Sequence, residues 1–172
     1  MRDLDLCSRR IRIRSSVTRI FIHGLEGSSK GYKASLLKKL FPDLICPQFT
    51  GPPEERMQML EEILEGKGDI SIVGSSLGGL MAALYALQHS DAIDRLILLA
   101  PALPMMDWSA FWDKPLKAPV KIYHGIHDDV VPLAQTRALA QKLFTDLEFN
   151  EVDDDHRLKK TVRELDFRAL LS

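Results

Sequence analysis

The sequence predicts a three-layer α/β/α sandwich: a mainly parallel sheet of about six strands, covered by helices on both faces. Three observations lead there. Short β-branched runs alternate with helical stretches along the chain, most of those runs are apolar on both faces, and 172 residues with 45% hydrophobic content suit one domain with a sizeable core. Residues 17–172 are expected to form that domain, and residues 1–16 a tail or an edge strand.

Within the first sixteen residues, Arg9, Arg10, Arg12 and Arg14 interleave with Ile11 and Ile13, the alternation of an edge strand with arginines in water. Val17–Ile22 is the first core strand and Lys30–Leu40 the first helix. Leu44–Cys46 is a short second strand, followed by Glu54–Glu65, whose apolar residues recur at i, i+3 and i+4. Then come strand Ile70–Val73, helix Leu77–His89, and strands Leu96–Leu99 and Val120–Tyr123. Helix Leu133–Phe144, a weaker strand Leu147–Val152 and helix Leu158–Leu170 complete the order. No repeat, low-complexity tract or linker interrupts it.

Composition narrows the partners. A net charge of -1 and a pI near 6.5 offer no footprint for nucleic acid or an anionic membrane surface. Cys7 and Cys46 form no CxxC pair and no disulfide scaffold, so a reducing, cytoplasmic setting is expected. The N-terminal stretch carries alternating charge and no apolar block, so no secretory leader or membrane span is expected there.

In parallel sheets, sites form in loops at the carboxyl ends of strands. The sharpest of these is Gly74-Ser75-Ser76-Leu77-Gly78, which joins a buried strand directly to a helix. A turn that tight needs glycine two positions to either side of its apex. Only Ser76 has them, because Ser75 is flanked at that distance by Val73 and Leu77. This is the G-x-S-x-G pattern in its strand-to-helix context, which holds a hydroxyl at the positive end of a helix. A serine hydroxyl needs a base within hydrogen-bond reach and an acid to orient that base. "YHGIHDDVVP" places Asp128 just past a strand, with Asp129 as its competitor. "DDDHRL" offers His156 before the last helix, while Asp153, Asp154 and Asp155 read as a solvated acidic loop. The order Ser76, Asp128, His156 is that of one fold among several that share this chemistry. His124 and His127 beside Asp128 could suggest a metal pair, yet no third ligand run accompanies them, and no metal or cofactor is expected.

After the first strand, His23-Gly24-Leu25 would let the backbone N–H of Leu25 join that of Leu77 in holding an oxyanion. A phosphate-binding loop fails on spacing, since Lys30 follows Ser29 and precedes Gly31. His23 reads as a buried residue that stabilises the loop, and His89 as a charge favourable at a helix C-terminus.

Together FIHG, GSSLGG, HGIHDDVVP and DDDHRL resemble the α/β-hydrolase superfamily, over nearly the whole chain from Arg19 to the last helix. In particular the chain resembles the small, lid-less bacterial esterases and predicted hydrolases of that superfamily. The resemblance implies a serine esterase with Ser76 as nucleophile, His156 as base, Asp128 as orienting acid and the Leu25 and Leu77 amides as oxyanion hole. It also implies a minimal fold, because Pro101–Pro119 is too short for a cap domain and residues 1–16 too few for the two antiparallel strands that usually begin the sheet. Met105, Met106 and Trp108 in that connection, with Phe111 and Trp112, form a stripe on a short helix. Such a stripe is either core packing or the wall of an apolar acyl pocket. The expected substrate is a small acyl ester with a short or medium acyl group, bound in an open site. Thioester or amide cleavage by the same machinery, and a non-catalytic binding module on the same fold, are the alternatives. Oligomeric state is not readable from the sequence.

Overall fold

A computed structural model describes residues 17–172. The tail or edge strand expected for residues 1–16 lies outside the described residues.

Five strands form one sheet, β1 (Thr18–Ile22), β2 (Ile70–Ser75), β3 (Ile93–Leu99), β4 (Val120–Gly125) and β5 (Leu147–Val152), side by side in that order. Every pairing is parallel. The expected sixth strand is corrected to a single bridge: Ile45 pairs with Ile20 outside β1, its N–H donating to the Arg19 carbonyl at 2.9 Å. Pro42 and Pro47 bracket the segment, and a ring nitrogen without hydrogen cannot extend a ladder.

The helices are α1 (Tyr32–Leu40), α2 (Pro53–Leu64), α3 (Leu77–Gln88), α4 (Leu133–Leu143), α5 (Lys159–Glu164) and α6 (Phe167–Leu170). Their placement follows from the handedness of parallel crossovers. The chain leaves β1 outward to Ile45 through α1, then returns past β1 to β2 through α2, so these helices cover opposite faces. Two cores result. Ile20, Ile22, Ile72, Leu96, Leu98 and Ile122 meet α2, α3 and α4. Their alternating neighbours Phe21, Val73, Ile97 and Leu99 meet α1, α5 and α6. Period-two alternation on strands buried on both faces produces this division.

Local sequence sets the ends of the elements. Pro53 opens α2, with Glu54 and Glu55 in its positive first turn. Helix α3 buries residues all round, from Leu77 to Leu87, as a helix wedged against the sheet centre must. The single last helix expected over Leu158–Leu170 is broken at Leu165 and Asp166, where the Asp166 carboxylate caps the Ala169 N–H at 3.1 Å. The β3–β4 connection holds two short 3-10 turns, Leu103–Met105 and Ser109–Phe111, in place of the expected short helix. Among the described residues no helix is long and apolar enough to cross a membrane.

Candidate active site

Ser76 sits at the apex between β2 and α3 with φ 55° and ψ -117°, a left-handed conformation that costs a non-glycine residue of order 1–3 kcal/mol. Surrounding bonds hold it there. Its N–H donates to the Leu99 carbonyl at 3.0 Å, and its carbonyl accepts from Gly79, Leu80 and Ala102. The flanking glycines are sterically required. A Cβ on Gly74 would lie 2.6 Å from the Gly78 carbonyl oxygen, and one on Gly78 would collide with the carbonyl of Ile22.

Asp128 enters from the turn after β4. Its side chain is fully buried, and its Oδ1 accepts from the N–H groups of Val130 at 2.9 Å and Val131 at 2.8 Å. Oδ2 accepts from His156 Nδ1 at 2.8 Å, and Ser76 Oγ donates to His156 Nε2 at 3.0 Å. The three side chains thus form one unbroken hydrogen-bonded chain, although His156 and Ser76 are 80 positions apart. Asp129 is exposed and takes no part in it.

His156 owes its position to the acidic loop before it. The His127 N–H donates to the Asp154 carbonyl at 3.2 Å, which fastens the loop to the end of β4. Asp154 Oδ2 accepts from Thr161 N and Oγ1 at 2.8 and 2.9 Å, and Oδ1 accepts from the Asp155 N–H. Burial opposes ionisation of Asp154, but these donated bonds hold its carboxyl below the ordinary carboxylate range. The reading of Asp153, Asp154 and Asp155 as merely solvated is corrected for Asp154, which ties the turn carrying His156 to α5. Asp153 bonds outward, to His127 at 2.9 Å.

His124 is completely buried beside Asp128, its Nε2 3.8 Å from Oδ2. Desolvation holds it below its ordinary range, against the pull of the Gly125 carbonyl and the Asp128 charge. A neutral His124 leaves the charge of Asp128 undiminished for His156. No group of three or more metal-ligating side chains occurs among the described residues.

The loop after β1 comes close to Ser76. A Cβ on Gly24 would lie 3.2 Å from Ser76 Cβ and 3.8 Å from its Oγ. The Gly24 carbonyl faces inward, accepting from Gly27 N at 3.1 Å, His23 Nδ1 at 2.8 Å and Arg56 Nη1 at 3.5 Å. Since C=O and the following N–H of a trans peptide point opposite ways, the Leu25 N–H is turned away from all three donors. Among the described residues, neither it nor the Leu77 N–H is taken up by another group. His23 is neutral by construction: Nδ1 gives its proton to Gly24 while Nε2 accepts from Phe49 N at 3.0 Å. Burial is the main cause that lowers its pKa, reinforced by the Arg56 charge.

A family model for the alpha/beta hydrolase fold matches residues 57–162, more than half of the chain and the stretch bearing Ser76, Asp128 and His156. The chain belongs to the alpha/beta hydrolase fold family. Solved structures agree. Mouse alpha/beta hydrolase domain-containing protein 10 superposes with a TM-score of 0.76 at 19% identity, covering 92% of each chain. A putative hydrolase of the alpha/beta superfamily from Xanthomonas campestris pv. campestris gives 0.69 at 28% identity, over 86% of this chain and 91% of that one. Est1E from Butyrivibrio proteoclasticus gives 0.70 at 19% identity, over 92% and 90%. No curated protein sequence matches it.

Among the described residues, the β3–β4 connection packs down against the core instead of standing over the site. Trp108, a candidate for a pocket wall, is instead core: it is 1% exposed and donates from Nε1 to the Leu103 carbonyl at 2.8 Å. A buried tryptophan removes roughly 150–250 Å² from water, an upper bound of about 4–6 kcal/mol, and the connection gains more from that than from a wall. Met106 is half-buried against the same core, and Met105 alone of the three is exposed, at 70%. Arg56 had not been anticipated. It is 5% exposed and donates to the Gly51 carbonyl at 2.9 Å as well as to Gly24. Its signal lay in spacing, since it precedes the buried Leu60 and Leu64 by four and eight residues on one helix face.

Proposed function

We propose that the protein is a serine hydrolase that cleaves carboxylic esters through an acyl-enzyme. The observation that carries this reading is the chain from Ser76 Oγ through His156 to the buried Asp128 carboxylate, at 3.0 and 2.8 Å. As the Ser76 oxygen attacks the acyl carbon, His156 Nε2 takes its proton, and the Asp128 charge stabilises the imidazolium that forms. The acyl oxygen gathers negative charge in the tetrahedral intermediate. The free Leu25 and Leu77 N–H groups and the positive end of α3 are the donors for it, each such bond worth roughly 3 kcal/mol of barrier. Collapse expels the alcohol, which receives the proton from His156. Water then attacks the acyl carbon with His156 as base, releasing the acid and restoring Ser76.

An apolar acyl group suits the surroundings. Leu25, Met105, Ile126 and Val130, all exposed, hang from loops at the carboxyl ends of β1, β3 and β4. A fluorophosphonate probe is expected to label the wild type and spare Ser76→Ala. Equal labelling of both would reject the assignment. The relay is indifferent to the leaving group, so matched phenyl esters, acyl thioesters and anilides rank the alternatives, with esters expected fastest.

A further inference from the structure

A cavity of about 160 Å³ opens beside this site, on the sheet face covered by α1 and α5. It has room for about five waters at ~30 Å³ each, enough for a compact polar group. Ser75, adjacent to Ser76, and Arg157, adjacent to His156, both contribute to its wall. Lys33 and Lys159 complete a cationic lining. None of the three cationic side chains forms an ion pair or donates a hydrogen bond among the described residues.

The carboxylates whose charge acts on Lys33 are Asp154 and Asp155, and both also accept hydrogen bonds from other groups. Asp154 is held by Thr161 and by the Asp155 N–H, and Asp155 Oδ1 accepts from the Arg157 N–H at 2.8 Å. Burial pushes the Lys33 ammonium below its ordinary range; Asp154 and Asp155 oppose that shift, while Arg157 and Lys159 add to it. The start of α1 lines the same space. Gly31 offers that helix no side-chain cap, and the N–H groups of Tyr32, Lys33 and Ala34 have no backbone acceptor. Three cationic side chains and a helix's positive end therefore line one cavity.

We propose that this cavity seats an anionic group, a carboxylate or a phosphate monoester, carried by the alcohol part of the ester, with Lys33 and Arg157 donating to its oxygens. The inference rests on the hydrolase reading of Ser76 and His156. It assigns the anion to the alcohol because His156 hands its proton to the departing oxygen, which must lie on the histidine's side, where Arg157 continues the chain. The apolar β3–β4 connection packs on the opposite face of the sheet, which leaves the acyl group to that side.

The test compares kcat/KM for phenyl acetate, 4-acetoxybenzoate and 4-acetoxyphenyl phosphate. The wild type is expected to favour at least one anionic ester over phenyl acetate, and the better one names the group. In Lys33→Met and in Arg157→Gln, the ratio of anionic to neutral kcat/KM falls about tenfold, the scale of one lost charge-assisted hydrogen bond. Arg157 is exposed, so its replacement tests the idea even if Lys33→Met fails to fold. Equal use of all three esters by the wild type, or a ratio unmoved by Arg157→Gln, overturns the anionic subsite and leaves the hydrolase reading intact. If no ester is turned over, the hydrolase reading fails. NMR titration with inorganic phosphate and with benzoate then decides the cavity by itself: saturable shifts at Lys33 and Arg157 support it, and none overturns it.

Discussion

Asp128 makes two sets of hydrogen bonds that one substitution can separate. Asparagine at this position keeps a carbonyl oxygen for the Val130 and Val131 N–H groups, but presents an amide to His156 Nδ1. The turn survives while the imidazole is driven to the wrong tautomer. Asp128→Asn is therefore expected to lower kcat by about ten-thousandfold, as loss of the orienting acid does in this type of relay. Steady-state kinetics alongside a melting curve checks it, and a fall of less than tenfold would remove Asp128 from the relay. At this scale Ser76 was legible because the demand for glycine two positions away is steric and local. Arg56 was not, because its role depends on a carbonyl 32 positions earlier that no local pattern reveals. Trp108 stayed open between core and pocket wall for a related reason: a stripe of large side chains states that something will be covered, but not by what.

Between elements, β1 and the start of α3 meet closely at Gly78. The Ile22 and His23 carbonyls lie where a Gly78 side chain would have to go. Gly78→Ala is expected to cost about 3 kcal/mol or more, the upper end for overpacking. Gly68 is exposed, with nothing within 4 Å of its Cβ position, so Gly68→Ala is the control and should stay within about 0.5 kcal/mol of wild type. Urea unfolding of both variants measures the difference, and equal midpoints would contradict the packing described. Strand and helix order could be read from alternation alone. The segment around Ile45 and the broken last helix could not, because prolines and one capping aspartate outweighed the apolar pattern there.

For the molecule as a whole, His23 and His124 link stability to pH. Both are buried and, through desolvation, less readily protonated in the folded chain than an ordinary histidine, which titrates near 6.5. As pH falls below about 6.5, the unfolded chain takes up these protons first. The stability these two residues contribute is complete above that pH and is lost progressively below it. The melting temperature is therefore expected to drop between pH 7.5 and 5.5, and His124→Asn to flatten the dependence. A wild-type melting temperature that does not change over that interval would contradict the burial assigned to both. The architecture itself was legible because one rule, that apolar runs on both faces mean a covered parallel sheet, applies along the whole chain. Which face each helix covers emerged only from the order in which strands are laid down.

One consequence follows from the way Trp108 pins the β3–β4 connection into the core. In a capped relative of this fold, that stretch would supply a moving door. Here the tryptophan pins it in a retracted position, so on the proposed reading substrate and water would reach Ser76 by the same route. On the proposed hydrolase reading, discrimination then falls to what the rim itself grips, since no cap encloses Ser76 among the described residues.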